Sequence, residues 1–231
     1  MKLLAFDSST LWLSVACGSG QQWATRAEPA GQAHSERLLP LIDEVLTDAG
    51  WRLADLDAIA FGAGPGSFTG VRIACGVAQG LALGANLPLV PVPTLEALAQ
   101  AAWRAHGVPR VLACLDARMR EVYVAAYRRD GGVWCTAGEP AVLRPDELRA
   151  PDDGHGWFGA GDGFAAYPQL IATRGLDGCD AGAVPDARCV AEIALPRLVA
   201  GQAVDAAHAL PLYVRHRVAL TTAERAAGAR L

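Results

Sequence analysis

Residues 2–27, KLLAFDSSTLWLSVACGSGQQWATRA, decide the fold class. Alternating apolar and polar positions separated by turn residues predict three consecutive strands, at 2–6, 11–17 and 21–27. Beyond them the pattern changes to helices and buried strands. We predict a helix capped by Ser35 and ending at Ala49, a strand at 58–63, a helix at 71–85, a strand at 89–92 and a helix from the cap Thr94 to Ala105. The order βββαβαβα is typical of an α/β domain.

The second half of the chain begins with the same plan. Strands are predicted at 111–115, 121–128 and 133–137, followed by a short helix near 146–148, a strand at 156–159, a glycine-rich bend and a helix at 186–200. We therefore expect two α/β domains, residues 1–105 and 106–231, each beginning βββα. The final segment is a candidate to pack back on the first domain. The alternative is a coincidence among common elements.

Composition restricts the class of protein. With 52% hydrophobic and 19% charged residues, the chain is expected to be globular. Its net charge of −4 argues against a protein that holds nucleic acid through its overall field. Six cysteines occur singly and no signal peptide precedes them, which favours reduced thiols and a cytoplasmic location. The uncharged stretch 73–95 contains Pro88, Pro91 and Pro93, so a membrane span is not expected.

Two turns could contact a phosphate. Asp7, Ser8, Ser9 and Thr10 offer a carboxylate, hydroxyl groups and turn amides, which makes them candidates for a nucleotide site, although a plain hairpin turn explains them equally simply. GPGSFTG at 64–70 precedes a helix and favours either an anion site or a rigid helix start. It lacks the ending of a Walker loop. No convincing second phosphate loop is found; the bend 159–163 is the best candidate, and a simple glycine-rich bend is the favoured interpretation.

Searches for metal-binding and catalytic patterns give no assignment. The five histidines form neither HExxH nor HxxxH, so no metal ligand and no catalytic residue is named. Asp116 and Glu121 flank the turn 117–120 and favour a charged hairpin over an acid/base pair, in a turn that could face an interdomain cleft.

The first two helices carry more apolar surface than one interface needs. The second, 71–85, is apolar nearly all round and has glycines four residues apart, which let another backbone approach closely. We expect these helices to form an association surface for another chain. Its candidate residues are Leu39, Ile42, Leu46, Ile73, Gly76, Gly80, Leu83 and Gly84. The alternative is that the last helix or the second domain covers this surface.

Five segments together resemble the TsaB (YeaZ) family over nearly the whole chain: DSST, HSERLLPLIDEVL, GPGSFTGVRIACGVAQGLALG, VLACLDARMREVYVAAYRRD and LPLYVR. The resemblance implies two ribonuclease-H-like domains of the actin, hexokinase and heat-shock ATPase superfamily. It also implies a role beside the paralogue TsaD and the ATPase TsaE, which together add a threonylcarbamoyl group to the adenosine next to the anticodon in tRNAs that read ANN codons.

The resemblance further implies that this chain is a non-catalytic subunit. In TsaD the equivalent of PLVPVPTLEALAQ carries an HxxxH metal motif, and here the matching positions are Thr94 and Leu98. The implied partner is TsaD through the first two helices, with a homodimer when TsaD is missing and tRNA bound only through the complex. No cofactor is required by this chain, and ATP or ADP is a candidate at the interface with the partner.

Other functional classes remain open at the level of sequence. The fold would also permit an ATP-dependent phosphotransferase or ATPase. A peptidase is disfavoured by the missing ligands and nucleophile. The tail carries Arg215, His216, Arg217, Arg225 and Arg230, from which we expect only weak tRNA binding by the chain alone.

Overall fold

The first half of the protein is an α/β unit around one mixed sheet. The computed structural model describes residues 1–151, 156–172 and 175–215. The first elements are β1 (Leu3–Asp7), β2 (Trp12–Ser19), β3 (Gln22–Pro29), α1 (His34–Ala49), β4 (Ala58–Gly64), α2 (Phe68–Ala85), β5 (Leu89–Pro93) and α3 (Thr94–His106). Strand order is β3-β2-β1-β4-β5. The three leading strands are antiparallel, whereas β1, β4 and β5 are parallel.

The second half repeats this arrangement. Its elements are β6 (Arg110–Asp116), β7 (Val122–Asp130), β8 (Val133–Thr136), β9 (Ala141–Leu143), β10 (Trp157–Ala160), α4 (Asp162–Ala166), β11 (Leu176–Asp180) and α5 (Ala187–Val199). The sheet has the order β11-β10-β6-β7-β8, and β9 pairs with β7. Three antiparallel strands again lead, and β6, β10 and β11 are parallel. This confirms the predicted α/β class with two ribonuclease-H-like halves.

The hydrophobic core is divided into layers by the two sheets. Successive side chains of a strand point to opposite faces, so each strand serves two layers. Leu4 and Phe6 of β1 pack with α1 and α2, whereas Ala5 packs into the layer that holds α3 and α5. That inner layer also receives Tyr127 from the second sheet. The helices α3 and α5 therefore lie between the sheets, and α1 and α2 cover the outer face of the first.

The chain returns to the first half after β11. Helix α5 packs on β1, β4 and β5. Val204 and Leu89 exchange two backbone hydrogen bonds of 2.8 Å, and Leu212 N donates to Ala63 O at 2.7 Å. Arg215 then reaches the second half, where its Nη2 donates to Ala117 O at 2.9 Å. Residues 203–215, named here the strap, thus contact both halves.

Helix α2 is long and apolar enough, by length and composition alone, to cross a membrane. In the fold it packs on β4, with a buried stripe that includes Ala74, Ala78 and Ala82. Gln79 Nε2 donates to the strap at Ala209 O, 2.9 Å away. The contacts therefore place α2 as a helix of the globular fold.

Three predicted helix starts were wrong. Ser35 is the second residue of α1 rather than its cap, and no side chain caps that helix. α2 begins at Phe68, because Ser67 caps it by accepting a bond from Gly70 N. Thr94 is the first residue of α3, and its Oγ1 instead accepts from Gly64 N at 3.1 Å across the sheet. The hydrogen bond of Thr94 joins two residues that are 30 positions apart in the sequence, so the local pattern could not reveal it.

The second half contains more regular structure than the sequence predicted. β9, α4 and β11 are additional regular elements. They are short, and a strand of three residues or a helix of five carries no readable periodicity. The basic tail beyond Arg215 lies outside the described residues.

Candidate functional site

The side chains at the end of β1 and in the turn that follows it are directed into the protein interior. Asp7, Ser8 and Ser9 are buried. Asp7 Oδ1 accepts hydrogen bonds from Ser9 N at 2.9 Å and from Ser9 Oγ at 2.6 Å. Asp7 Oδ2 is buried and has no partner within the described residues. Burial raises the pKa of Asp7, and the bonds from Ser9 oppose that rise.

The glycine-rich loop at 64–70 covers this turn. Ser67 N donates to Ser9 O at 2.7 Å, and Ser8 Oγ donates to Gly70 O at 2.8 Å. A Cβ on Gly70 would lie 1.9 Å from Ser8 O, and one on Gly66 would lie 2.4 Å from Ser9 O. The glycines therefore serve contact between two backbones rather than access to a phosphate.

This packing separates the four residues of the candidate nucleotide site. Asp7 and Ser8 are enclosed by the chain itself and do not line a cavity. Only Ser9 and Thr10 reach the wall of the large cleft. The four residues therefore do not form one open phosphate site in this conformation, because their hydrogen bonds are directed inward.

The cleft lies between the two halves and has a volume of about 590 Å³. Its walls come from the β1 turn, the start of α2, the turn after β6 and the strap. They include Thr10, Leu11, Phe68, Arg72, Leu115, Asp116, Arg118, Tyr123, Asp162, Tyr213 and Arg215. The turn after β6 thus faces an interdomain cleft.

The carboxylates of the cleft are bonded to neighbouring protein groups. Asp162 Oδ1 accepts from Asp116 N at 2.9 Å, and Asp116 Oδ2 lies 3.1 Å from Arg118 Nη1. Glu121 Oε2 accepts from Arg215 Nη2 at 2.5 Å. Burial raises the pKa of Asp162. Asp116 and Glu121 therefore have separate partners, which matches a charged hairpin better than an acid/base pair.

The second candidate phosphate loop ends β10 and begins α4. A Cβ on Gly161 would lie 2.2 Å from Cys114 O, and one on Gly163 would lie 2.5 Å from Cys114 Sγ. These glycines allow α4 to pack closely on β6. The positions that match the metal motif of TsaD are also internal, since Thr94 and Leu98 are fully buried. Among the described residues, no three His, Cys, Asp or Glu side chains are grouped to hold a metal ion.

The structure divides the predicted association surface. Leu39 and Leu83 are 51% and 79% exposed. Gly76, Gly80 and Gly84 are exposed, and a Cβ on any of them would meet nothing within 4 Å. Ile73 is partly buried against the core. We call the exposed set, Leu39, Gly76, Gly80, Leu83 and Gly84, the helix face.

Two members of that surface were wrong. Ile42 and Leu46 are buried in the core between α1 and the first sheet. They follow Leu38 at helical spacing, and that side of α1 packs on β2 and β3. Among the described residues, the last helix does not cover the helix face either, because α5 packs on the opposite side of the sheet, and the strap bonds α2 at Cys75 and Gln79.

Sequence reasoning missed one group on the cleft, Phe68, Arg72 and Tyr213. The guanidinium carbon of Arg72 lies 3.6 Å from the Phe68 ring centroid, and Arg72 Nε donates to Tyr213 Oη at 2.8 Å. The spacing of Phe68 and Arg72 on one helix could have suggested their contact. Tyr213 is too distant in sequence to be found that way.

Comparison with known proteins identifies the family. Residues 27–156, more than half of the chain, match the family model described as "TsaD: tRNA N6-adenosine threonylcarbamoyltransferase". A protein of Escherichia coli named "tRNA threonylcarbamoyladenosine biosynthesis protein TsaB" is 43% identical over 223 residues, which cover 95% of this chain and 96% of that protein. A protein of the same name from Haemophilus influenzae is 39% identical over 226 residues, covering 94% and 95%.

Solved structures agree with the relatives. The structure described as "YeaZ from Pseudomonas aeruginosa" is 42% identical, has a TM-score of 0.87 and covers 92% of this chain and 99% of that one. Both the motifs and the fold are therefore shared over nearly the full length, and the resemblance stated from the sequence is confirmed. This chain belongs to the TsaB (YeaZ) family, within the wider group that the TsaD model describes.

Proposed function

We propose that this chain acts in the synthesis of threonylcarbamoyladenosine in tRNA as a subunit that binds TsaD and performs no group transfer itself. The names of its relatives support the pathway. The observation that carries the proposal is the uncovered helix face on α1 and α2. Leucines beside a stripe of glycines let a second pair of helices approach closely.

The fold of the partner supports this choice. The TsaD model matches residues 27–156, a stretch that contains both α1 and α2. A paralogue with this fold would offer an equivalent helix pair. Two such pairs can associate about a pseudo-twofold axis, as the identical faces of a symmetric dimer do. The same geometry permits a homodimer when TsaD is absent.

The interior of the protein supports a non-catalytic role. Asp7 is enclosed, and Thr94 and Leu98 are buried where TsaD has its metal motif. The chain can then act by binding the competent arrangement of TsaD more tightly than other arrangements. TsaE and tRNA would bind to this complex in the cytoplasm. If the assembly binds ATP or ADP, the nucleotide would lie at the interface with a partner rather than at Asp7.

The proposal is tested by reconstitution. The chain, its cognate TsaD and TsaE, tRNA, threonylcarbamoyl-adenylate and ATP are mixed, and modified nucleoside is measured with each protein omitted in turn. Gly80→Arg places a long charged side chain on the helix face, where space is open. Ala105→Arg makes a similar change at an exposed position of α3 and serves as the control.

We expect omission of this chain to stop multiple turnover. Gly80→Arg is expected to weaken TsaD binding at least tenfold and to lower product formation in parallel, while Ala105→Arg behaves as wild type. Steady ATP hydrolysis by the chain alone, lost in Asp7→Ala, would instead favour a phosphotransferase or ATPase. Full TsaD binding by Gly80→Arg would contradict the helix face.

A further inference from the structure

The turn between β6 and β7 has an unusual backbone. Arg118, Met119 and Arg120 are consecutive residues in the left-handed region, with φ of 60°, 54° and 62°. None of them is glycine. Residues with a Cβ are disfavoured there, and runs of them are rarer than single positions. Residues in such sparsely populated conformations cluster at binding and active sites.

The side chains of this turn contribute little burial. Met119 is 55% exposed, and the Arg118 side chain is 73% exposed although it pairs with Asp116. The sulfur of Met119 accepts only a long contact of 3.6 Å from Arg215 Nη1. Glycine at position 119 would relieve strain and would remove few contacts from the fold. A large apolar side chain at this exposed and strained position is therefore explained better by binding than by folding.

The opposite rim of the cleft holds an arginine in a fixed orientation. Phe68 and Tyr213 hold the Arg72 guanidinium by stacking and by a hydrogen bond, and both rings are about half exposed. No carboxylate in the described part of the chain lies within ion-pair distance of Arg72. A pre-oriented guanidinium without an acid is suited to a carboxylate from outside.

We propose that the cleft mouth, formed by Phe68, Arg72, Arg118 and Tyr213 together with Met119, which contacts the cleft residue Arg215, docks a segment of a second protein partner that presents a carboxylate beside an apolar side chain. The carboxylate would pair with Arg72, and the apolar side chain would pack on Phe68, Met119 and Tyr213. Arginine, methionine and aromatic residues are enriched at the centres of protein interfaces. The proposal rests on the proposed function, in which this chain is part of an assembly.

A protein segment fits the cleft mouth better than RNA does. Arg118 and Arg215 of the cleft are already paired with Asp116 and Glu121, so Arg72 is the arginine of the cleft that has no carboxylate partner among the described residues. The whole chain has a net charge of −4. One unpaired arginine suits a single carboxylate of a protein segment better than the row of phosphates in an RNA backbone.

The test uses the full chain bound to cognate TsaD, with purified TsaE as the probe of the second partner. Met119→Gly and Arg72→Glu alter the two rims of the cleft. Arg128→Glu makes the same charge change at an exposed position of the far end of β7 and is the control. Binding of TsaD, TsaE and tRNA is measured by surface plasmon resonance, and melting temperatures are recorded.

We expect Met119→Gly and Arg72→Glu to weaken TsaE binding at least tenfold and to leave TsaD binding unchanged. The melting temperature of Met119→Gly should not fall below that of wild type. Arg128→Glu should behave as wild type in every measurement.

Unchanged TsaE binding, a loss confined to tRNA, or a loss of TsaD binding would each overturn the proposal. A lowered melting temperature of Met119→Gly would do so too, since Met119 would then serve folding. The proposed function is tested by a different variant: it would fail if Gly80→Arg bound TsaD as tightly as wild type.

Discussion

At the residue scale, Asp7 is a carboxylate enclosed by its own fold. Its carboxylate keeps one oxygen bonded to Ser9, while the other is buried without a partner in the described residues. A Cβ on the adjacent Gly62 would lie 1.8 Å from Asp7 Oδ2, so even the neighbouring strand is fitted to this side chain. A buried carboxylate in such a place disfavours its own charge.

Asp7→Asn is expected to keep or raise stability at neutral pH. Asparagine retains the oxygen that accepts from Ser9 and removes the buried charge. Burial raises the pKa of Asp7 in the folded protein above its value in the unfolded chain. The protonated side chain therefore stabilises the fold fully at pH values below the unfolded pKa, and this stabilisation is lost as the pH rises through the folded pKa. Melting temperatures of both proteins from about pH 4 to about pH 8 measure this. A large loss of stability in the asparagine variant at neutral pH would show that the charge has a partner.

Helix α2 has two kinds of glycine at the scale of the element. Gly70 is buried in its first turn against the β1 turn, whereas Gly76, Gly80 and Gly84 face open space. The first kind is required by the contact with Ser8. The second kind weakens the isolated helix, since glycine is a poor helix former, and is explained by the close approach of another backbone.

Alanine at Gly70 and at Gly80 should have opposite effects. Gly80→Ala is expected to raise the free energy of unfolding by about 0.5–1 kcal/mol through helix propensity. Gly70→Ala should lower it by about 1–3 kcal/mol, because its Cβ would lie 1.9 Å from Ser8 O. The free energies of unfolding of the two variants, measured by urea denaturation, test this prediction. Equal effects at both positions would contradict the separation of the two kinds of glycine.

The strap fixes the two halves relative to one another at the scale of the whole molecule. It pairs with β5 at Val204, bonds α2 at Ala209 and β4 at Leu212, and ends on the turn after β6 at Arg215. Those contacts define the width of the cleft.

Arg215→Ala removes the last attachment of the strap. Arg215 is well buried and bonds both Glu121 and Ala117 O, so the variant is expected to lose about 1.5–3 kcal/mol of unfolding free energy. Amide hydrogen exchange in the turn 117–121 should become faster. Glu121→Gln, which keeps an acceptor for Arg215, should lose less. Unchanged exchange in the Arg215 variant would show that the strap does not hold this turn.

Much of the fold was readable from local patterns. The leading strands, α1, β4, α2, β5 and α3 were predicted with their ends shifted by a few residues, because alternation and helical periodicity are properties of neighbouring residues. β9 and α4 were not, since three and five residues are too few for a period, and β11 was missed because Gly178 and two aspartates interrupt its apolar pattern. The left-handed turn at Arg118 to Arg120 has neither glycine nor asparagine to announce it.

The sequence by itself determined the α/β class, the repeated βββα plan and the family, because these depend on patterns and motifs carried within single segments. Only the tertiary structure decided which apolar residues remain on the surface. α2 is apolar nearly all round, so Gly80 and Leu83 became exposed, and Ala74 and Ala78 buried, only when β4 packed on one side. The enclosure of Asp7 and the meeting of Arg72 with Tyr213 likewise required contacts between segments far apart in sequence.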